Sequence, residues 1–588
     1  MKFATTSILI ISAALPVLAG IQEVWWNITY VENVNPDGLY PRRVIGVNGT
    51  WPPPPLDVHA ANSLQLHVIN SLDQPTTLHH HGMLFNSMPW MDGVKGVSEC
   101  GIPPGGTFDY LVPINSSGQF GTYWVHAHSK GQYVDGLRAP LIIHPVEKTF
   151  SYDDEFTVVL SDWYHEEHPE LMKRFLSPSN PDGIEPVADS ALLYFARNAS
   201  YLPAKTSNTS SSTVGFNENA TLPFEAGKTY RLRLINTSAF AMFYFWIDGH
   251  DMKIIEVDGI DVEETPVSAV NLAVAQRYSV LVTARNETSS NWAIHANMDT
   301  DMFDYVPDSL NPNITSSVTY NDSTAIQDNG PIAQYTPIDD MTLVPKAPIA
   351  APEATRTILL EGTLDIMDDG TNRGMFNLFP YGPSTFLLNH NEVVDIVLKN
   401  GDDGDHPFHL HGHVPMLIER VDPKNVNLVS MANLTNPLRR DTFHIPAEGS
   451  VTLRVVADNP GVWFLHCHME WHLESGLAIQ FVEAPFEAQA LSGNIPSDMY
   501  SNCKKLGIPY SGNAAAHASA TDLSGLPLGP YPRKQKKFAN WAVFRYLELR
   551  SVKYIVRWAF LASPFMVLLV VAYSHGQRSS TSLQDKKV

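Results

Sequence analysis

Cysteine is scarce in this chain, with three among 588 residues. That excludes a disulfide-dense scaffold, in which many bridges stand in for a core. Positive charge is short as well. Lysine and arginine number 39 against 61 acidic residues, a formal net charge of −22. The balance argues against nucleic acid or anionic lipid as the main partner and favours attraction of cations. Helical periodicity is sparse, and long apolar runs are confined to the neighbourhood of the two ends. The apolar share of 44% and charged share of 17% are those of a globular protein, at a length with room for several domains.

The first apolar run reads as a secretory signal over 1–20: charged Lys2, apolar Ile8 to Leu18, then small Ala19 and Gly20. Sequons at Asn27, Asn48, Asn198, Asn236 and Asn433 imply surface glycans on an exported chain. In an oxidising compartment Cys100 and Cys503 are able to pair, leaving Cys467 free for chemistry; two unpaired thiols is the alternative. The second run, 554–573, is long enough as a helix to span a bilayer, at about 30 Å. It predicts a single-pass anchor in the cell membrane with the body outside, or else a secreted chain with a buried or interfacial helix. A polar tail, 574–588, follows and argues against a cleaved lipid-anchor signal. Seven basic residues from Arg533 to Lys553 precede the span and three follow it, which runs against the usual charge bias for that orientation.

Three segments resemble one another: SLQLHVINSL (63–72), TYRLRLINTS (229–238) and EVVDIVLKNG (392–401). Each alternates apolar and polar residues and stops at a turn, the pattern of a strand. The first and third are followed by LHHHG (78–82) and HPFHLHGH (406–413), and GTYWVHAH (121–128) matches GVWFLHCH (461–468). The chain therefore reads as an all-β protein, three copies of one β-sandwich unit at 21–147, 148–305 and 350–500, with a stalk at 501–552. The middle copy has no paired histidines and reads as a spacer or wall.

HCHMEWH, 466–472, sets one of the few cysteines between two histidines. On a strand, neighbouring side chains face opposite ways. His466 and His468 then face one site and Cys467 another, on the far side of the same backbone. Cys467 with His406 and His472 makes the two-imidazole, one-thiolate set of a blue copper centre. Leu477, ten residues beyond the cysteine, has no donor atom, so that copper is expected to be three-coordinate with a raised potential. His79 and His81, His126 and His128, His409 and His411, and His466 and His468 form His-x-His pairs. Eight imidazoles from two homologous units suit a three-copper cluster between them. Zinc is the rival metal, but a structural zinc closes a tetrahedral site and does not need such an array. Asp92 and Glu470 lie beside these ligands and read as proton donors, or else as a turn aspartate and a solvated glutamate.

HHHG, WVHAH, HPFHLHGH and HCHMEWHLESGL resemble the motifs of the multicopper oxidases, and the resemblance covers nearly all of 21–500. It implies three cupredoxin domains and four copper ions. By motif, His406, Cys467 and His472 hold type 1 copper and His79 and His409 hold type 2. His81, His126, His128, His411, His466 and His468 hold the type 3 pair. His80, where many relatives carry an aromatic residue, is assigned no copper. Within the family, GIEPVADSAL (183–192), SDWYH (161–165), VAQRY (274–278) and ADNPGVWF (457–464) are most similar to the fungal iron-uptake ferroxidases. That implies Fe(II) and O₂ as substrates, a membrane iron permease as partner, and Fe(II) bound by Glu185, Asp402 and, less closely matched, Asp304. The alternative for these acids is loop positions on an acidic surface. Two rival functions remain: a laccase-like oxidase of phenols or polyketides, and a non-catalytic copper carrier.

Overall fold

The computed structural model describes residues 20–202, 220–332, 335, 338–366, 372–377, 385–425 and 429–511. Residues 1–19 of the predicted signal, the predicted span 554–573 and the tail 574–588 lie outside them. Among the described residues no helix is long and apolar enough to cross a membrane.

Strands dominate, and the three similar segments occupy equivalent places. Ser63–Asn70 lies between Ile21–Val34, parallel, and Thr107–Val112, antiparallel. Thr229–Asn236 lies between Asp154–Trp163, parallel, and Arg277–Thr283, antiparallel. Val393–Asn400 lies between Arg356–Ile366, parallel, and Ser450–Val456, antiparallel. Their alternation explains the placement: Leu64, Leu66 and Val68 are buried while Gln65, His67 and Ile69 face outward. Each repeat contributes two sheets, of four and four strands, then seven and six, then six and five. One continuous apolar core runs through all three repeats and includes Trp124, Phe156 and Trp463.

Two boundaries differ from the sequence reading. The middle unit does not end near 305, because Asn313–Thr319 pairs antiparallel with Asn291–Met298 in the same sheet. The polar loop at 299–312 had masked that continuation. Nor does a stalk begin at 501. Helix Ser497–Lys505 is held to the first repeat by the disulfide Cys100–Cys503, and Asn502 donates to the Thr107 carbonyl at 3.0 Å. The rest of the predicted stalk, beyond 511, lies outside the described residues.

The strands that carry the histidines form two antiparallel pairs. Leu78–His81 runs beside Gly121–Ala127 with His79 opposite His126. His406–Leu410 runs beside Gly461–Cys467 with His409 opposite His466. Leu78–His81, Gly121–Ala127 and His406–Leu410 are buried throughout, on both faces. One face covers the strand's own core and the other meets a neighbouring repeat, so polar side chains there are removed from water.

Candidate metal centres

Cys467 ends its strand, and a short helix, Glu470–Ser475, follows at once. Glu470 in the first turn suits the helix dipole, and Gly476, at φ 111°, ends the helix in a conformation that suits glycine. The chain then doubles back, and Cys467 N–H donates to the Leu477 carbonyl at 3.1 Å. This reversal brings His472 Nδ1 to 3.6 Å from Cys467 Sγ, while His406 Nδ1 stands 3.5 Å away on the neighbouring strand. The two imidazole nitrogens are 3.1 Å apart. Leu477, fully buried, adjoins His406 and offers no donor. Burial pushes the Cys467 thiol up, but hydrogen bonds with His406 and His472 outweigh it and bring the thiol down to about 6.

Both imidazoles meet a carboxylate on their outer nitrogen. His472 Nε2 donates to Glu185 Oε1 at 2.9 Å, and His406 Nε2 donates to Asp402 Oδ2 at 3.0 Å. A neutral ring that keeps its proton on Nε2 would present its Nδ1 lone pair to a metal ion beside the thiolate. Glu185 and Asp402 border a cleft of about 320 Å³ that Asp182, Asp304 and Asp403 also line. Asp304 is exposed there and makes no hydrogen bond to either imidazole. Burial, then the charges of Glu185 and Asp403, raise its carboxyl above the ordinary value.

On the other side of the strand, eight histidines crowd together. His81 stacks on His409 with centroids 3.8 Å apart, and His79 lies 4.1 Å from His411. His126 and His468 are 5.4 Å apart, and His128 and His466 5.3 Å. Donor nitrogens of His128, His411 and His466 lie within 4.8 Å of one another, as do those of His79, His81 and His126, and of His79, His409 and His411. His80 points the other way, against Tyr110 and Phe85.

The hydrogen bonds select what each ring offers. His79, His126 and His409 donate through Nδ1 to the carbonyls of Asp92, Ala127 and Asp441 at 2.6, 3.1 and 2.9 Å. Their Nε2 atoms are buried and without a hydrogen bond among the described residues, as is Nδ1 of His81. His411 Nδ1 donates to Asp92 Oδ2 at 2.9 Å and His466 Nδ1 to the Cys467 carbonyl at 2.8 Å, so the two Nε2 atoms, 3.0 Å apart, face each other as lone pairs. Such an arrangement is costly unless a cation lies among the nitrogens. Burial, then the neighbouring imidazoles, hold His81, His126, His409 and His411 well below the usual histidine value, in the neutral form that binds metal. The donor set fits several soft-to-borderline metal ions.

Asp92 is fully buried and touches two of these rings. Glu470 lines a cavity of about 170 Å³ with His126, His128, His466 and His468. Burial, then the charge of Glu474, push its carboxyl well above the usual range, and Tyr133 hydrogen-bonds it.

Three multicopper oxidase family models match the chain, at residues 28–148, 154–323 and 355–487. The chain belongs to the multicopper oxidases. It is an oxidoreductase, its cofactor is copper, and its sheets are cupredoxin-like. It is 44% identical to the iron multicopper oxidase fer1 of Mycosarcoma maydis, over 88% of this chain and 89% of that protein. It is 40% identical to the iron transport multicopper oxidase fio1 of Schizosaccharomyces pombe, over 86% and 83%. Among solved structures it is similar to Fet3p, described as a multicopper oxidase that functions in iron import (TM-score 0.75, 33% identity, 84% of this chain and 97% of that one). A laccase from Botrytis aclada matches at TM-score 0.70 and 27% identity, over 83% and 92%.

Sequence reasoning missed Asp441, Thr442 and Arg277. His81 Nε2 meets Asp441 Oδ1 at 3.1 Å and Thr442 Oγ1 at 2.9 Å. Arg277, from the middle repeat, grips Asp441 with two bonds of 2.7 and 2.6 Å. Neither residue sits in a histidine motif. VAQRY, which contains Arg277, carried the family resemblance but no role. The supposed wall thus reaches the histidine cluster.

Proposed function

We propose that this multicopper oxidase oxidises Fe(II) to Fe(III) and reduces O₂ to water, as the feeding step of iron import through a membrane permease. Its three repeats would serve as domains, the first and third holding the coppers. His406, Cys467 and His472 hold the type 1 ion, His79 and His409 type 2, and His81, His126, His128, His411, His466 and His468 the type 3 pair. When bound, the coppers supply one-electron acceptance beside Cys467 and four-electron reduction of O₂ among the histidines.

The chain's own groups do the rest. Glu185 and Asp402 bind Fe(II) at the cleft, with Asp304 adding negative charge. Carboxylates prefer Fe(III), and each tenfold of preference lowers the iron potential by about 59 mV for a one-electron step. The bound ion becomes a better reductant. The same two carboxylates are hydrogen-bonded to His472 and His406, so the path from iron to the thiolate site is short. Cys467 is bonded along the chain to both His466 and His468, which joins the two sites through a few covalent bonds. Asp92 and Glu470 lie next to the histidine cluster, where they would relay protons.

The observation that carries this reading is the pair of carboxylate–imidazole contacts opening on an acidic cleft. An oxidase of phenols has no need of five acids there. The relatives named for iron transport support the same choice. Location at the cell surface follows those relatives, with anchoring by 554–573 as the proposed arrangement. Oxygen uptake by the copper-loaded protein with Fe(II), compared with a panel of phenols, tests it; a kcat/KM favouring phenols would reverse the assignment.

A further inference from the structure

We infer that Arg277 of the middle repeat is a positioning residue that retains the type 2 copper, acting through Asp441. The inference rests on the assignment of His79 and His409 to that ion.

One guanidinium joins all three repeats at this point. Its Nη1 and Nη2 hold both oxygens of Asp441, in the third repeat, at 2.7 and 2.6 Å. Its Nε donates to the Thr122 carbonyl, in the first repeat, at 3.1 Å. Arg277 and Asp441 are both fully buried. Asp441 in turn meets a ring from each ligand-bearing repeat: His81 through Oδ1 and His409 through its carbonyl. The planar fork therefore fixes the carboxylate, and the carboxylate fixes which nitrogen His81 presents. Lysine has the charge but not the fork.

The fit is tight on the far side as well. A Cβ on Gly82, which follows His81 at φ +88°, would lie 2.7 Å from Asp441 Oδ2 and 2.8 Å from Arg277 Nη2. Any side chain at position 82 would therefore displace the ion pair that stands beside His81.

Type 2 copper is the ion most exposed to such a shift, because only two imidazoles of the chain hold it. His409 is one of them. Loss of a hydrogen-bonding partner behind a metal ligand typically weakens metal binding about 10- to 100-fold, and a displaced Asp441, which meets His409 through its carbonyl and lies 3.6 Å from that ring through Oδ1, acts in the same direction. The Cys467 site has no contact with Arg277, so it escapes.

The test uses the full copper-loaded chain with Arg277→Gln and Arg277→Lys, challenged with a graded chelator. Copper content, blue absorption and the type 2 electron paramagnetic resonance signal are the readouts. The expected result is a retained blue band with a type 2 signal that is altered and lost about 10- to 100-fold more readily, more so for glutamine than for lysine. Should glutamine prevent folding, lysine decides. An unchanged type 2 signal and copper retention in Arg277→Lys would overturn the inference. So would blue and type 2 coppers falling in equal proportion, which would mark a general role in folding. A wild-type protein lacking the blue band would instead refute the copper assignment itself.

Discussion

His472 donates to Glu185 at 2.9 Å, across 287 positions of sequence and from a different repeat. The middle repeat thereby places an acid directly behind a ring of the Cys467 site. Asp402 does the same for His406 from four residues away. The double variant Glu185→Ala, Asp402→Ala is expected to lower kcat/KM for Fe(II) about 10- to 100-fold and to spare phenol turnover. Equal losses on both substrates would count against an iron site.

Asp92 is buried between His79 and His411. If it supplies protons, Asp92→Ala slows the O₂-dependent return of blue colour after full reduction by about 10²-fold or more, with Asp92→Glu recovering part. Reduction of the Cys467 site by Fe(II) stays fast. Stopped-flow absorbance separates the two phases, and an undiminished return of colour would remove Asp92 from that role.

His144 joins the first repeat to the middle one, with Nε2 at 2.8 Å from Asp57 and Nδ1 at 3.1 Å from Glu155. Those hydrogen bonds outweigh burial and raise the imidazole from 6.5 to about 9. Arg233, which also pairs with Glu155, is the nearby cation. The folded state therefore holds the proton more tightly than the unfolded one. The stabilisation is complete below pH 6.5 and is lost as pH rises towards 9. His144→Gln is expected to flatten the decline of the thermal midpoint across that window; a decline of unchanged slope would refute the assignment.

The Cys100–Cys503 bridge closes a loop across 403 positions and pins the last described helix to the first repeat. Cys503→Ser is expected to cost about 2–5 kcal/mol of stability, read as a lower midpoint by calorimetry, with the blue colour intact at 25 °C. An unchanged midpoint would show that packing alone holds the helix.

The clustering of the histidines was legible in the sequence because strand alternation has a period of two. His466 and His468 with Cys467 between them can only face two sites, and the strand Gly461–Cys467 places them so. His472 was harder, since a helix rather than the strand carries it, yet the spacing from Cys467 allowed the return. Asp441 and Arg277 were not legible. A single aspartate after two arginines, and a single arginine in a strand of another repeat, carry no periodic signal, and only the fold brings them together. The end of the middle repeat was misplaced because a polar loop separates its last strands from the rest. The membrane span remains an expectation from the sequence, outside the described residues.

Removing the Arg277 guanidinium would leave the buried Asp441 carboxylate without its cationic partner, at a cost of about 3–5 kcal/mol. Effects of substitutions there must therefore be read against the Cys467 site in the same sample, which serves as an internal gauge of folding.

The most direct measurement is copper stoichiometry together with visible absorption on the purified, metal-replete chain and on Cys467→Ser. The account predicts four coppers and an intense blue band in the former, and three coppers with no blue band in the latter. A protein that is colourless when fully loaded, or that keeps its colour without the Cys467 thiol, would contradict it.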